Sequence, residues 1–172
     1  MNQHTSIQFK TFNAIDRFAY LIATGFGAGL MPKAPGTFGA IESVLVFVAA
    51  VALPLSPQIL LILFSLMSLV SFAAGVWAAN RVCKATGLDD PGQIVVDEIC
   101  GQFIALVPVA LAPSWLNIVL AFLLFRLFDI TKPYPIRKLE NFHGGLGVMA
   151  DDVLAGIYAA LLVWLAHLLH LV

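Results

Sequence analysis

The stretch GVMADDVLAGIYAALLVWL, residues 147–165, sets two adjacent aspartates, Asp151 and Asp152, at the head of an apolar run. The run continues to residue 172, and only His167 and His170 near its tail interrupt it. An apolar segment of this length is long enough to cross a bilayer as a helix. A carboxylate near hydrocarbon costs about 2.5–3.5 kcal/mol on insertion scales unless it is paired or neutralised. The two acids therefore require a compensating partner, and the rest of the chain has to supply it.

The composition agrees with a membrane protein. Of 172 residues, 60% are hydrophobic and only 11% charged, and the mean hydropathy of +0.94 lies far above that of ordinary soluble domains. Four further apolar runs cover residues 38–53, 59–79, 94–112 and 118–128. The expected fold is all-α: one integral membrane domain over residues 1–172, a helix bundle of about five spans. Several runs fall short of the roughly 20 residues of a perpendicular span, so some are expected to be short or re-entrant. The glycine- and proline-rich GFGAGLMPKAPGTFG before the first run predicts an irregular loop or re-entrant turn.

Charge orients the bundle. All nine Lys and Arg fall within residues 1–37, 80–98 and 126–147, whereas the turns at 54–58 and 112–117 and the carboxyl tail have none. Basic residues in alternate loops mark the cytoplasmic side. The polar segment 1–18 lacks the layout of a cleavable signal, so it is expected in the cytoplasm together with both charged loops. A net charge of −1 with scattered cations excludes a nucleic-acid footprint. Cys83 and Cys100 have neither zinc-ligand nor disulfide-framework spacing.

On this topology Asp97, Glu98, Asp129, Asp151 and Asp152 gather at one membrane face from three separate segments, with Lys33, Arg126, Lys132 and Arg137 on the same side. Hard carboxylate oxygens suit Mg²⁺, which commonly binds one or two of them together with substrate phosphate. Carboxylates, a divalent cation and basic side chains make up a phosphate-handling site. Arg126 and Asp129, at i and i+3, share a helical face, and Pro133 and Pro135 hold Lys132 in a turn. Thr37, among glycines that expose backbone N–H groups, is a candidate phosphate contact, and His143 a candidate proton donor. Each acid taken singly also fits an interfacial group or a helix cap. Paired acids at two helix entries are harder to explain that way. Glu42, inside the first run, is set apart from the site.

Four ordered motifs, GFGAGLMPKAPGTFGA, IVVDEICGQ, FRLFDITKPYPIRKLE and HGGLGVMADDVLAG, resemble the phosphatidylglycerophosphatase A family over most of the chain. The resemblance implies a multi-pass enzyme of the bacterial inner membrane, with its active site facing the cytoplasm. Its implied reaction is Mg²⁺-dependent hydrolysis of phosphatidylglycerophosphate to phosphatidylglycerol and phosphate. The family's acidic motifs fall on Asp97, Glu98, Asp129, Asp151 and Asp152, its basic positions on Lys132 and Arg137, and its proline-glycine-threonine signature on Pro35, Gly36 and Thr37. The five acids are thus expected to be catalytic and metal-binding, and Lys33, Thr37, Arg126, Lys132, Arg137 and His143 to meet the substrate.

Rival phosphatase signatures are missing: there is no DxDxT and no Cys-x₅-Arg. Neither is the spaced aspartate motif of the CDP-alcohol phosphotransferases present. The alternative from another class is a small ion or proton transporter, which calls for acids near mid-span and on both sides of the bilayer.

Overall fold

The computed structural model describes residues 12–139 and 142–171. Among the described residues, seven helices make up the bundle: α1 (Ala14–Ala23), α2 (Pro35–Val51), α3 (Pro57–Thr86), α4 (Val96–Leu106), α5 (Trp115–Thr131), the single turn α6 (Ile136–Leu139) and α7 (Gly144–Leu168). Two 3-10 turns, Gly25–Leu30 and Pro108–Leu111, complete the secondary structure, and there is no strand among the described residues.

Local chemistry sets the ends of these helices. Asn13 and Asp16 form a reciprocal capping box at the start of α1. Ser56 and Ser114 accept from the backbone N–H groups of Ile59 and Asn117 at the starts of α3 and α5. Gly87 ends α3 in the left-handed region. Pro108, which has no N–H to give, ends α4 and converts it to the following 3-10 turn.

Each expected apolar run contains a helix, but the boundaries differ. α3 runs on through Asn80 and Arg81 to Thr86. Charge lowers hydropathy there, yet no helix breaker occurs before Gly87, and the backbone continues. The segment read as polar, 1–18, contains the first part of α1; its residues 1–11 lie outside those described, as does Val172 at the end of the last run. The stretch GFGAGLMPKAPGTFG is irregular over residues 25–34, with Phe26 and Gly27 at φ 50° and 115° inside its 3-10 turn, but residues 35–39 are helical: Pro35 opens α2 at a position where its missing N–H costs nothing.

Among the described residues, only α3 (30 residues) and α7 (25 residues) are both long and apolar enough to cross a membrane. At 1.5 Å per residue they reach about 45 and 37 Å, against roughly 30 Å of hydrocarbon. α2 is apolar but shorter, at 17 residues. α4 has 11 residues and is almost wholly buried, enclosed by α2, α3, α5 and α7. Phe47, Phe64 and Phe103 stack in series across α2, α3 and α4, and burying such rings contributes about 1.5–3 kcal/mol each. Cys83 and Cys100 are free thiols, both buried.

Helices α4 and α7 cross closely in the core. A Cβ on Gly156 would lie 2.4 Å from the carbonyl oxygen of Gly101; one on Gly101 would lie 2.4 Å from the Phe125 ring and 2.6 Å from the carbonyl of Asp152. Small residues let helix backbones approach in this way. Gly101 is one turn beyond Asp97, and Gly156 one turn beyond Asp152, so the approach of the backbones carries the acids of both helices to one place.

Candidate active site

A cavity of about 270 Å³ opens at that place. Asp97, Glu98, Asp129, Asp151 and Asp152 all line it, as does Lys132. Asp97 and Glu98 come from the first turn of α4, Asp129 from the last turn of α5, and Asp151 and Asp152 from the third turn of α7.

Asp97, Glu98 and Asp152 each offer a carboxylate oxygen within 4.8 Å of the other two. Asp152 also faces Asp129, whose negative charge adds to the crowding. Two like charges 4 Å apart repel by roughly 4 kcal/mol at an effective dielectric near 20, so this grouping of acids needs a cation or shared protons. Oδ1 of Asp97 and Oε2 of Glu98 are buried and accept no hydrogen bond. Hard oxygen donors, crowded and unsatisfied, are what a divalent cation such as Mg²⁺ requires of its ligands, and the residues present fit it.

Asp151 has a different setting from its neighbour. Its Oδ2 accepts from Lys132 Nζ at 2.6 Å. Lys132 terminates α5 with φ 43°, a left-handed conformation that costs a non-glycine residue roughly 1–2 kcal/mol. That reversal brings its side chain back to the cavity instead of along the α5 axis. Arg126 pairs with Asp129 at 2.5 Å, as the i, i+3 spacing predicts, and its charge also reaches Glu98.

The first turn of α2 backs the site from behind Glu98. A Cβ on Gly36 would fall 1.7 Å from Glu98 Oε1, so only glycine admits the carboxylate where it stands. Thr37, next to it, is half-buried and outside the cavity lining. The remaining expected substrate contacts also stand apart. Lys33 is exposed in the loop before α2, Arg137 is exposed on α6, and His143 is exposed at the N-cap of α7 with no side-chain capping bond. None of the three lines the cavity, nor does Arg126. Glu42 is half-buried on α2, near Gly25.

Two acids that line the cavity were not singled out from sequence: Asp89 and Asp90, exposed in the loop after α3. Their signal is the DDPG turn itself, a pair of carboxylates followed by a proline six residues before Asp97.

Comparison with known proteins agrees with this arrangement. The family model described as phosphatidylglycerophosphatase A matches residues 21–167, a span holding every residue of the cavity. The chain is 43% identical over 149 residues to a Haemophilus influenzae phosphatidylglycerophosphatase A, covering 84% of this chain and 86% of that one. It is 35% identical over 150 residues to the Escherichia coli phosphatidylglycerophosphatase A, covering 86% and 83%. A Bacteroides thetaiotaomicron protein provisionally named a phosphatidylinositol-3-phosphatase is 46% identical over 148 residues, covering 86% and 92%. No solved structure matches the chain.

Proposed function

Since the chain belongs to the phosphatidylglycerophosphatase A family of Mg²⁺-dependent phospholipid phosphatases, we propose that it hydrolyses phosphatidylglycerophosphate to phosphatidylglycerol and phosphate. The proposed setting is a bacterial inner membrane, with α2, α3, α4, α5 and α7 embedded and the cavity facing the cytoplasm. The observation that carries this reading is the triad of Asp97, Glu98 and Asp152 opposite Lys132 in one cavity at the end of two apolar helices.

Asp97, Glu98 and Asp152 would hold the Mg²⁺, with Asp129 beside them. When bound, the ion polarises the phosphoryl group and lowers the pKa of the hydrolytic water. Lys132 presents a cation to the phosphate and offsets charge that develops on its oxygens. Asp151 holds the ammonium group in that position, so it acts through Lys132 rather than on the substrate. Arg126 pairs with Asp129 and fixes it beside Glu98. Neither His143 nor Arg137 reaches the cavity in this conformation, and both are assigned to headgroup contacts at its rim.

The acids lie at one end of the apolar helices rather than along them, which argues against a transporter that relays cations through mid-span. The Bacteroides relative supports a second substrate, a phosphoinositide phosphomonoester. The family model and two relatives named phosphatidylglycerophosphatase A favour the glycerol head, and a cavity of about 270 Å³ admits either head by volume. Phosphate release from phosphatidylglycerophosphate, phosphatidylinositol 3-phosphate and phosphatidic acid, with EDTA and Mg²⁺ add-back, decides between them. Preference for the first lipid is expected; preference for the second would move the assignment to phosphoinositides, and release from none of them would reject a lipid phosphatase.

A further inference from the structure

Away from the cavity, the same end of the bundle carries a second opening, a groove of about 490 Å³ between α1 and α3. Asp16, Trp77, Asn80, Arg81, Lys84 and Ala85 line it, and it shares none of these with the cavity. Its chemistry is opposite in sign. Arg81 donates from Nε and Nη2 to Asp16 Oδ1 at 3.0 and 2.8 Å, which cancels one charge of each sign. Lys84, exposed and without an ion pair among the described residues, leaves the groove cationic.

Below the groove, α3 presents an uninterrupted exposed stripe. Trp77, Ala73, Val70, Leu66 and Ile62 follow at spacings of three and four residues, the near-vertical row of a helix surface, with Leu69 exposed beside Val70. From Trp77 to Ile62 the stripe runs about 22 Å, more than one leaflet of a hydrocarbon core roughly 30 Å thick. Phe18 of α1 packs on Trp77 with ring centroids 6.2 Å apart, and Ile15, Phe18 and Leu21 are exposed beside it. Such an exposed apolar face on a short amphipathic helix suits the headgroup boundary of a membrane, and tryptophan is enriched at that depth.

We propose that this groove binds the headgroup phosphate of an anionic phospholipid that is not the substrate, with an acyl chain lying along the α3 stripe. Lys84 and the guanidinium edge of Arg81 that does not face Asp16 meet the phosphate, while the Trp77 ring flanks the glycerol ester region. The groove is also linked to α7, the helix that bears Asp151 and Asp152. Asn80 lines the groove, and its Oδ1 accepts from the Gly145 N–H at 2.8 Å in the first turn of α7. The assignment does not depend on which phosphomonoester the cavity hydrolyses.

The test uses full-length protein with Trp115→Phe and Trp164→Phe, so that Trp77 is the sole tryptophan, in phosphatidylcholine vesicles. The quencher is phosphatidylglycerol brominated high on its acyl chains, set against phosphatidylcholine brominated at the same positions. Half-maximal quenching is expected at a mole fraction roughly fivefold lower for the anionic lipid, the effect of about one basic side chain near a lipid surface. Lys84→Gln, at an exposed position, should remove most of that preference, and Arg81→Gln with Lys84→Gln all of it. Asp151→Asn should retain it, and soluble glycerol 3-phosphate should not relieve the quenching. Equal quenching by the two lipids, or a preference that survives the double substitution, would overturn the proposal. So would loss of preference in Asp151→Asn, which would assign the lipid to the catalytic cavity, or relief by glycerol 3-phosphate, which would assign the groove to soluble phosphoesters. A Trp77 that neither lipid quenches, but that cross-links to a second copy, would assign the stripe to a dimer.

Discussion

α3 and α4 lie against each other and have opposite relations to their surroundings. α3 is 30 residues long and leaves Ile62, Leu66, Leu69 and Val70 more than half exposed. α4 has 11 residues, nearly all enclosed by other helices, and carries two acids in its first turn. The long helix is apolar enough to cross a membrane. The short one bears two acids of the proposed metal site, and a carboxylate can be kept near hydrocarbon only where protein groups and a cation, not lipid, surround it. Burial in protein thus distinguishes the helix that carries the acids, and hydropathy the one that could span.

The contrast is most exposed to substitution in the acids. Asp97→Asn and Asp152→Asn should each lower Mg²⁺-dependent phosphate release by at least about 10³-fold, beyond the loss of a single preorganised donor, in protein whose helical circular dichroism is unchanged. Activity within tenfold of the parent would detach α4 from the chemistry.

Gly36→Ala comes next in size. The new methyl must displace the Glu98 carboxylate, and an activity loss of roughly 10–100-fold with a raised Mg²⁺ requirement is expected, typical of disturbing a group that orients a ligand. Glu98→Asp shortens the side chain and withdraws it from the added methyl. The pair Gly36→Ala with Glu98→Asp should therefore lose less than the product of the single losses, and strict multiplicativity would show that the glycine serves only the helix.

For Asp151→Asn the expected loss is also roughly 10–100-fold, but with the Mg²⁺ requirement unchanged and KM raised, since Lys132 loses its holder. A shift in Mg²⁺ dependence instead would make Asp151 a ligand. In the core, Phe103→Ala on α4 should cost about 3–5 kcal/mol, read as a lower thermal midpoint in detergent. Leu66→Ala on the open face of α3 should stay within about 0.5 kcal/mol. Equal shifts for the two would erase the difference between the helices.

Much of the site is legible along the chain because hydrocarbon penalises charge so heavily. Asp97, Glu98, Asp129, Asp151 and Asp152 stand out as acids at apolar boundaries, and all five line one cavity. Lys132 is legible from the prolines that follow it. What hydropathy does not encode is direction around a helix axis and contact between distant turns. Lys33, Arg137 and His143 share a membrane face with the acids in sequence, yet they point away from the cavity. Asp89 and Asp90 read as an ordinary solvated loop, and only the fold swings that loop over the acids. α1 is similarly hidden. Its buried face is Ala19, Tyr20 and Ala23, and its partner for Asp16 is Arg81, 65 residues away. The α4–α7 crossing depends on Gly101 and Gly156, two of thirteen glycines, with nothing local to single them out.

The adjacent aspartates at the head of α7 give the most direct measurement. Asp152 faces the triad and Asp151 faces Lys132, so divalent ion binding should separate them. Mn²⁺ binding, followed by electron paramagnetic resonance in detergent-purified protein, is expected to persist in Asp151→Asn with little change in affinity and to be lost in Asp152→Asn. Undiminished Mn²⁺ binding by folded Asp152→Asn protein would contradict the assignment of Asp97, Glu98 and Asp152 as the metal site.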